Sequence, residues 1–214
     1  MRFQADSAEL EGTLEVPDNP AGIVLFAHGS GSSRLSPRNT YVAAMLLRSG
    51  IGTFLFDLLT EREAQSRFKV FDVELLARRL LAATSWLREQ PAARDLSLGY
   101  FGASTGAAAA LIAAAHHQRI DAIVSRGGRP DLAADALLKV KAPTLLIVGG
   151  EDHLVLELNQ RAYEIMLCEK QLAIVPGATH LFEECGALET VVELARDWFL
   201  RHLKGRIQRE ARFI

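Results

Sequence analysis

Short, almost wholly apolar runs alternate along this chain with longer stretches of helical periodicity, and that rhythm limits what it can fold into. The runs cover residues 23–27, 52–57, 96–101, 122–125, 144–149 and 171–175 and consist mostly of Val, Ile, Leu and Phe. Strands buried on both faces of a parallel sheet read this way. Between them, residues 39–49 stop at Gly50, with Pro37 just ahead. Residues 71–89 carry Leu75, Leu76, Leu80, Ala83 and Leu87 at helical spacing before Pro91. Residues 105–116 are alanine-rich, which lets a helix lie close on a sheet, and segments 131–138, 157–166 and 187–203 complete the helices. Ahead of them, 2–5 and 10–16 read as a weaker hairpin, broken at Ser7 and ended by Pro17. The pattern predicts a doubly wound α/β sheet with helices on both faces and right-handed crossovers.

With 214 residues and no repeat or low-complexity linker, the expectation is a single domain over 1–214. The 24 Lys and Arg against 26 Asp and Glu leave a net charge of -2. That balance gives no footprint for nucleic acid or an anionic membrane. The longest apolar stretch, 107–115, falls short of the roughly 20 residues a spanning helix needs. The first ten residues lack the apolar core of a secretory signal. Cys168 and Cys185 have no metal-ligand spacing and are too few for a disulfide framework. These features predict a soluble, cytoplasmic protein without a metal site. The basic stretch from Arg201 to Ile214 reads as the solvated end of the last helix.

Ligands of such sheets sit beyond the carboxyl ends of the strands, so the residues after each run matter most. After 96–101 stands Gly102-Ala103-Ser104-Thr105-Gly106, directly before a helix. A serine on so tight a strand-to-helix turn stands clear of the backbone, and the flanking glycines remove colliding side chains. The helix N-terminus behind it favours developing negative charge. A nucleophilic serine needs a base, and the base an orienting acid. Asp152 follows the run 144–149 and His180 follows 171–175, so Ser104, Asp152 and His180 converge on one sheet edge. Glu151 and Asp57 are alternative acids. His116 and His117 lie far from the strand tips, His153 adjoins Asp152, and His202 lies in the final helix. The oxyanion donors are assigned to the N–H groups of Thr105 and of Ser30, in the loop His28-Gly29-Ser30-Gly31. The His28 side chain is expected to tie that loop down.

Arg126 and Arg129 flank a loop at another strand tip and are candidates for gripping a substrate carboxylate, with Arg34 and Arg38 weaker ones. The competing reading for the first pair is an ion pair with Asp131 or Asp135.

Together, AHGSGSS, GASTG, LLIVGGEDHLV and PGATHLF resemble the α/β-hydrolase superfamily, and the single-domain layout resembles its dienelactone hydrolase-like branch. The order serine, acid, histidine is the order of that fold. The resemblance implies an α/β-hydrolase fold with a mostly parallel eight-stranded sheet, and ester or lactone hydrolysis of small molecules through an acyl-enzyme without a cofactor. The namesake enzymes use a cysteine nucleophile; Ser104 in its place points to simple esters. Only 125–142 separates two successive strands where many relatives insert a lid, so no cap domain is expected. Acyl transfer or thioester cleavage by the same triad, and a non-catalytic binding module, are the alternatives. A monomer or a homodimer is expected.

Overall fold

The computed structural model describes residues 1–6, 8–116 and 119–203. Strands β1 (Arg2–Ala5), β2 (Ala8–Glu15), β3 (Ile23–Ala27), β4 (Gly52–Phe56), β5 (Leu98–Ala103), β6 (Ala122–Arg126), β7 (Thr144–Gly149) and β8 (Lys170–Val175) form one sheet. Its order is β1-β2-β4-β3-β5-β6-β7-β8. The β1–β2 hairpin is antiparallel and joins β4 antiparallel; from β4 to β8 every pairing is parallel. All residues of β3 to β7 are buried, as their unbroken apolar runs require.

The helices are α1 (Pro37–Arg48), α2 (Glu61–Ala64), α3 (Arg67–Val70), α4 (Val73–Glu89), α5 (Thr105–His116), α6 (His153–Ile165) and α7 (Ala187–His202), with a 3₁₀ segment over Pro130–Lys139. Leu75 and Leu80 of α4, the alanines of α5, Leu137 and Ala162 build the core on one face of the sheet. Val42 and Leu46 of α1 and Val191 and Trp198 of α7 build it on the other. The expected three-layer α/β-hydrolase architecture without a cap is thus the observed one.

Local chemistry sets the helix starts. Ser36 Oγ accepts the N–H of Asn39 at the head of α1, where Pro37 takes a position that needs no N–H donor. Asp72 caps α4 through the N–H of Leu75 at 2.9 Å. Several segments differ from what the sequence predicts. The helix expected over 131–138 is 3₁₀, interrupted at Ala134 (φ 43°, ψ -125°), with Pro130, Ala133 and Leu137 buried. Helix α6 starts at His153, one turn earlier than its apolar periodicity suggests, with Asp152 at the N-cap position. The short α2 and α3 went unread. Ser7, His117 and residues 204–214, with most of the basic stretch, lie outside the described residues. Among the described residues no helix is long and apolar enough to cross a membrane.

The central helix α5 is buried from Thr105 to Ala114, which requires side chains small enough for close approach to the sheet. The approach is tightest at Gly106, where a methyl group would lie 2.1 Å from the carbonyl oxygen of Ala27. Backbone cannot move aside as a side chain can. Gly106→Ala is therefore expected to destabilise the fold by about 1–3 kcal/mol, read as a lower urea midpoint at unchanged m-value.

Candidate active site

Strand β5 ends at Ala103 and α5 begins at Thr105, so Ser104 alone makes the turn between them. Its φ is 51°, in the left-handed region. For a residue with a Cβ this costs roughly 1–3 kcal/mol and persists only where the surroundings enforce it. The loop after β6 does so from both sides. Ser104 N–H donates to the carbonyl of Arg126 at 3.3 Å, and Ser104 C=O accepts from Arg129 N–H at 3.1 Å. Its C=O also accepts from Ala107 N–H at 3.1 Å, which joins the elbow to the helix.

Backbone bonds between the turns after β7 and β8 bring acid and histidine together. Gly150 N–H donates to Val175 C=O at 2.9 Å and Glu151 N–H to Ala178 C=O at 3.0 Å. Asp152 stands at the N-cap position of α6, yet its side chain makes no capping bond. Instead its Oδ2 lies 2.6 Å from His180 Nδ1. A carboxylate only accepts, so Nδ1 carries the hydrogen and Nε2 is left as the basic nitrogen. The Asp152 side chain is 15% exposed and that of His180 40%, so the acid is shielded while the imidazole faces outward. Phe182, buried and at φ 56°, plugs the histidine loop into the core. Thr179 Oγ1 donates to Glu184 Oε1 at 2.5 Å, and that bond holds the Glu184 carboxyl below its ordinary range. Ser104 and His180 make no hydrogen bond with each other here, and such contacts often tighten only around a substrate.

Gly29 brings the loop after β3 against Ser104: a methyl group there would sit 3.0 Å from Ser104 Cβ. Thr105 is the first residue of α5, so its N–H has no intrahelical acceptor. Ser30 lines a cleft of about 1130 Å³, and none of the described groups accepts its N–H. His28 ties the loop down as expected. Its Nε2 accepts the N–H of Leu58 at 3.0 Å, so Nδ1 carries the hydrogen and donates to Gly29 C=O at 3.0 Å. Asp57 accepts from Arg34 N–H at 2.7 Å and from its Nη1 at 2.5 Å, while Arg34 Nη2 donates to Glu11 at 2.7 Å. Asp57 thereby anchors the loop after β3, and the carboxylate at His180 is that of Asp152.

The guanidinium groups singled out in the sequence are mostly engaged. Arg34 is filled by Asp57 and Glu11, and Arg129 makes a two-pronged pair with Asp131 at 2.8 and 2.7 Å. Arg38 pairs with Glu183 at 2.9 Å. Arg126 is 8% exposed, lies 5.9 Å from the centre of the Phe182 ring, and burial lowers its pKa to about 10. What the sequence reading missed in this loop is its backbone, whose Arg126 C=O and Arg129 N–H grip Ser104. Of the other histidines, His116 is exposed, His153 lies 3.8 Å from Glu151, and His202 lies 3.5 Å from Glu169.

Residues 10–199 match the model of the dienelactone hydrolase family. The chain belongs to the dienelactone hydrolase family. A dienelactone hydrolase from Anabaena variabilis ATCC 29413 superposes with a TM-score of 0.93 at 52% identity, covering 95% of this chain and 97% of that one. Est1E from Butyrivibrio proteoclasticus, solved with ferulic acid bound, superposes with a TM-score of 0.79 at 18% identity over 94% of this chain and 98% of that one. At that identity the likeness shows the fold. Two Mycobacterium tuberculosis proteins, from strains CDC 1551 and H37Rv, are named phosphoribosyl transferases; each is 60% identical over 202 residues. That match covers 94% of this chain and 46% of each relative, so the chain spans about half their length. Within the dienelactone hydrolase family, then, this chain carries Ser104 at the turn between β5 and α5.

Burial holds the His28 imidazole below its ordinary 6.5. As pH falls through that value the unfolded chain takes up a proton that the folded one excludes. His28 therefore contributes its full stability above about pH 6.5 and loses it progressively as pH falls further. His28→Gln should flatten the fall in Tm between about pH 7.5 and 5 relative to the wild type. Parallel Tm curves would show that the imidazole carries none of that dependence.

Proposed function

We propose that this dienelactone hydrolase family member is a serine esterase that cleaves carboxylic esters of small molecules through an acyl-enzyme. The observation that carries the reading is the 2.6 Å contact of Asp152 with His180 Nδ1, which leaves Nε2 available on the same sheet edge as Ser104. Ser104 Oγ attacks the ester carbonyl while His180 Nε2 takes its proton. Asp152 holds the imidazole in that tautomer and stabilises the imidazolium. The N–H groups of Thr105 and Ser30 stabilise the oxyanion of the tetrahedral intermediate. Collapse breaks the bond to the alkoxide, which leaves with the proton from His180. Water then attacks the acyl-enzyme, with His180 again taking a proton and returning it to Ser104. No step needs a metal or cofactor, because the developing charge is met by backbone donors.

The phosphoribosyl transferase name of the Mycobacterium tuberculosis relatives belongs, in this reading, to the half of each that this chain does not span. The matched half corresponds to the hydrolase family over 10–199.

Turnover of p-nitrophenyl acetate tests the assignment. Ser104→Ala and His180→Ala should each lower kcat by about 10⁴-fold or more, and Asp152→Asn by about 10⁴-fold, with the folded circular-dichroism spectrum retained. Unchanged turnover in Ser104→Ala would rule the mechanism out. Transfer of the acyl group to added alcohol or amine in preference to water would favour acyl transfer.

A further inference from the structure

The cleft beside Ser30 holds more than an oxyanion donor. Leu10, Leu59, Val70 and Leu76 give it an apolar floor between the oxyanion loop and the short helices α2 and α3. At about 1130 Å³ it is large enough for a sizeable organic group. Its four arginines are matched by four carboxylates. Most of these charges are already paired: Arg34 with Asp57 and Glu11, Arg2 with Glu9 and Glu11, and Arg38 with Glu183. Glu61 and Arg62 stand as exposed neighbours on α2 and offset each other. A carboxylate entering the cleft would meet no net positive charge and would have to break an existing ion pair or lose its hydration.

Sheet order fixes which half of an ester faces this cleft. The leaving oxygen must lie toward His180, which follows β8, because His180 protonates it. The cleft is built from residues following β3 and β4 and from β2, on the opposite flank of β5. The cleft reaches the site through His28, Gly29 and Ser30, so an acyl group directed away from the leaving oxygen heads toward it.

We propose that this cleft is an acyl pocket selective for uncharged, apolar acyl groups longer than acetyl, an inference that rests on the esterase reading and names its substrate class. Ala64 on α2 and Val70 at the end of α3, both lining the cleft, set the chain length it accepts.

Three p-nitrophenyl esters test this on the full chain: the acetate, the hexanoate, and the hydrogen adipate, which replaces the terminal methyl of the hexanoate with a carboxylate. The hexanoate should exceed both others in kcat/KM by about tenfold or more. Ala64→Trp and Val70→Trp should each reduce the hexanoate-to-acetate ratio by about tenfold. Equal or better turnover of the adipate, or a ratio that neither variant moves, would overturn the proposal while leaving the esterase reading intact. Equilibrium binding of the hexanoate to Ser104→Ala separates the two readings. Weakening of that binding by about tenfold on adding Ala64→Trp supports the acyl pocket whatever the turnover; unchanged binding overturns it. Absence of Ser104-dependent turnover of all three esters counts against the esterase reading instead.

Discussion

The unfavourable backbone conformation of Ser104 is the constraint around which the functional edge of the sheet is arranged. A residue with φ of 51° between a strand and a helix relaxes unless both of its peptide groups are held. Here the preceding N–H is held by Arg126 C=O and the following C=O by Arg129 and Ala107 N–H. Helix α5 can leave the elbow at that angle only because Gly106 lets it sit against the carbonyl of Ala27. One turn thus links β3, β5, β6 and α5, and it sets Ser104 on the edge that also carries the loops after β3 and β8.

Ion pairs around the site hold loops in place. Arg34 joins the oxyanion loop to Asp57 after β4 and to Glu11 on β2, three elements distant in sequence. Asp152 leaves the first turn of α6 uncapped by its side chain in order to hold His180, a local cost accepted where a tertiary contact is stronger. Thr179 and Phe182 fix the loop that carries the imidazole. The result is an edge of backbone donors and neutralised charges, the arrangement that the proposed oxyanion stabilisation requires.

Much of this was legible in the sequence, because it rests on local signals. Buried parallel strands must be apolar, so their runs marked β3, β4, β6 and β7 closely. Ser104, Asp152, His180 and the His28 loop stood out because each follows a strand end. Features that depend on distant partners were not legible. The acids that occupy Arg34 lie 23 residues away at Glu11 and again 23 at Asp57, and no local pattern marks them. Helices α2 and α3 have four residues each, too few for periodicity to declare itself. Strand β5 was read two residues early because Leu96 and Ser97 are buried ahead of it, Ser97 C=O accepting from Ile23 N–H at 2.8 Å. The first turn of α6, His-Leu-Val-Leu, resembles a strand until Asp152 is seen to start a helix.

The central claim is that Ser104 is a nucleophile activated by His180. Its most direct measurement is labelling with a fluorophosphonate probe followed by mass mapping of the adduct. One adduct per chain is expected, on Ser104, formed rapidly in the wild type and far more slowly in His180→Ala. An adduct elsewhere, or an undiminished labelling rate without His180, would contradict it.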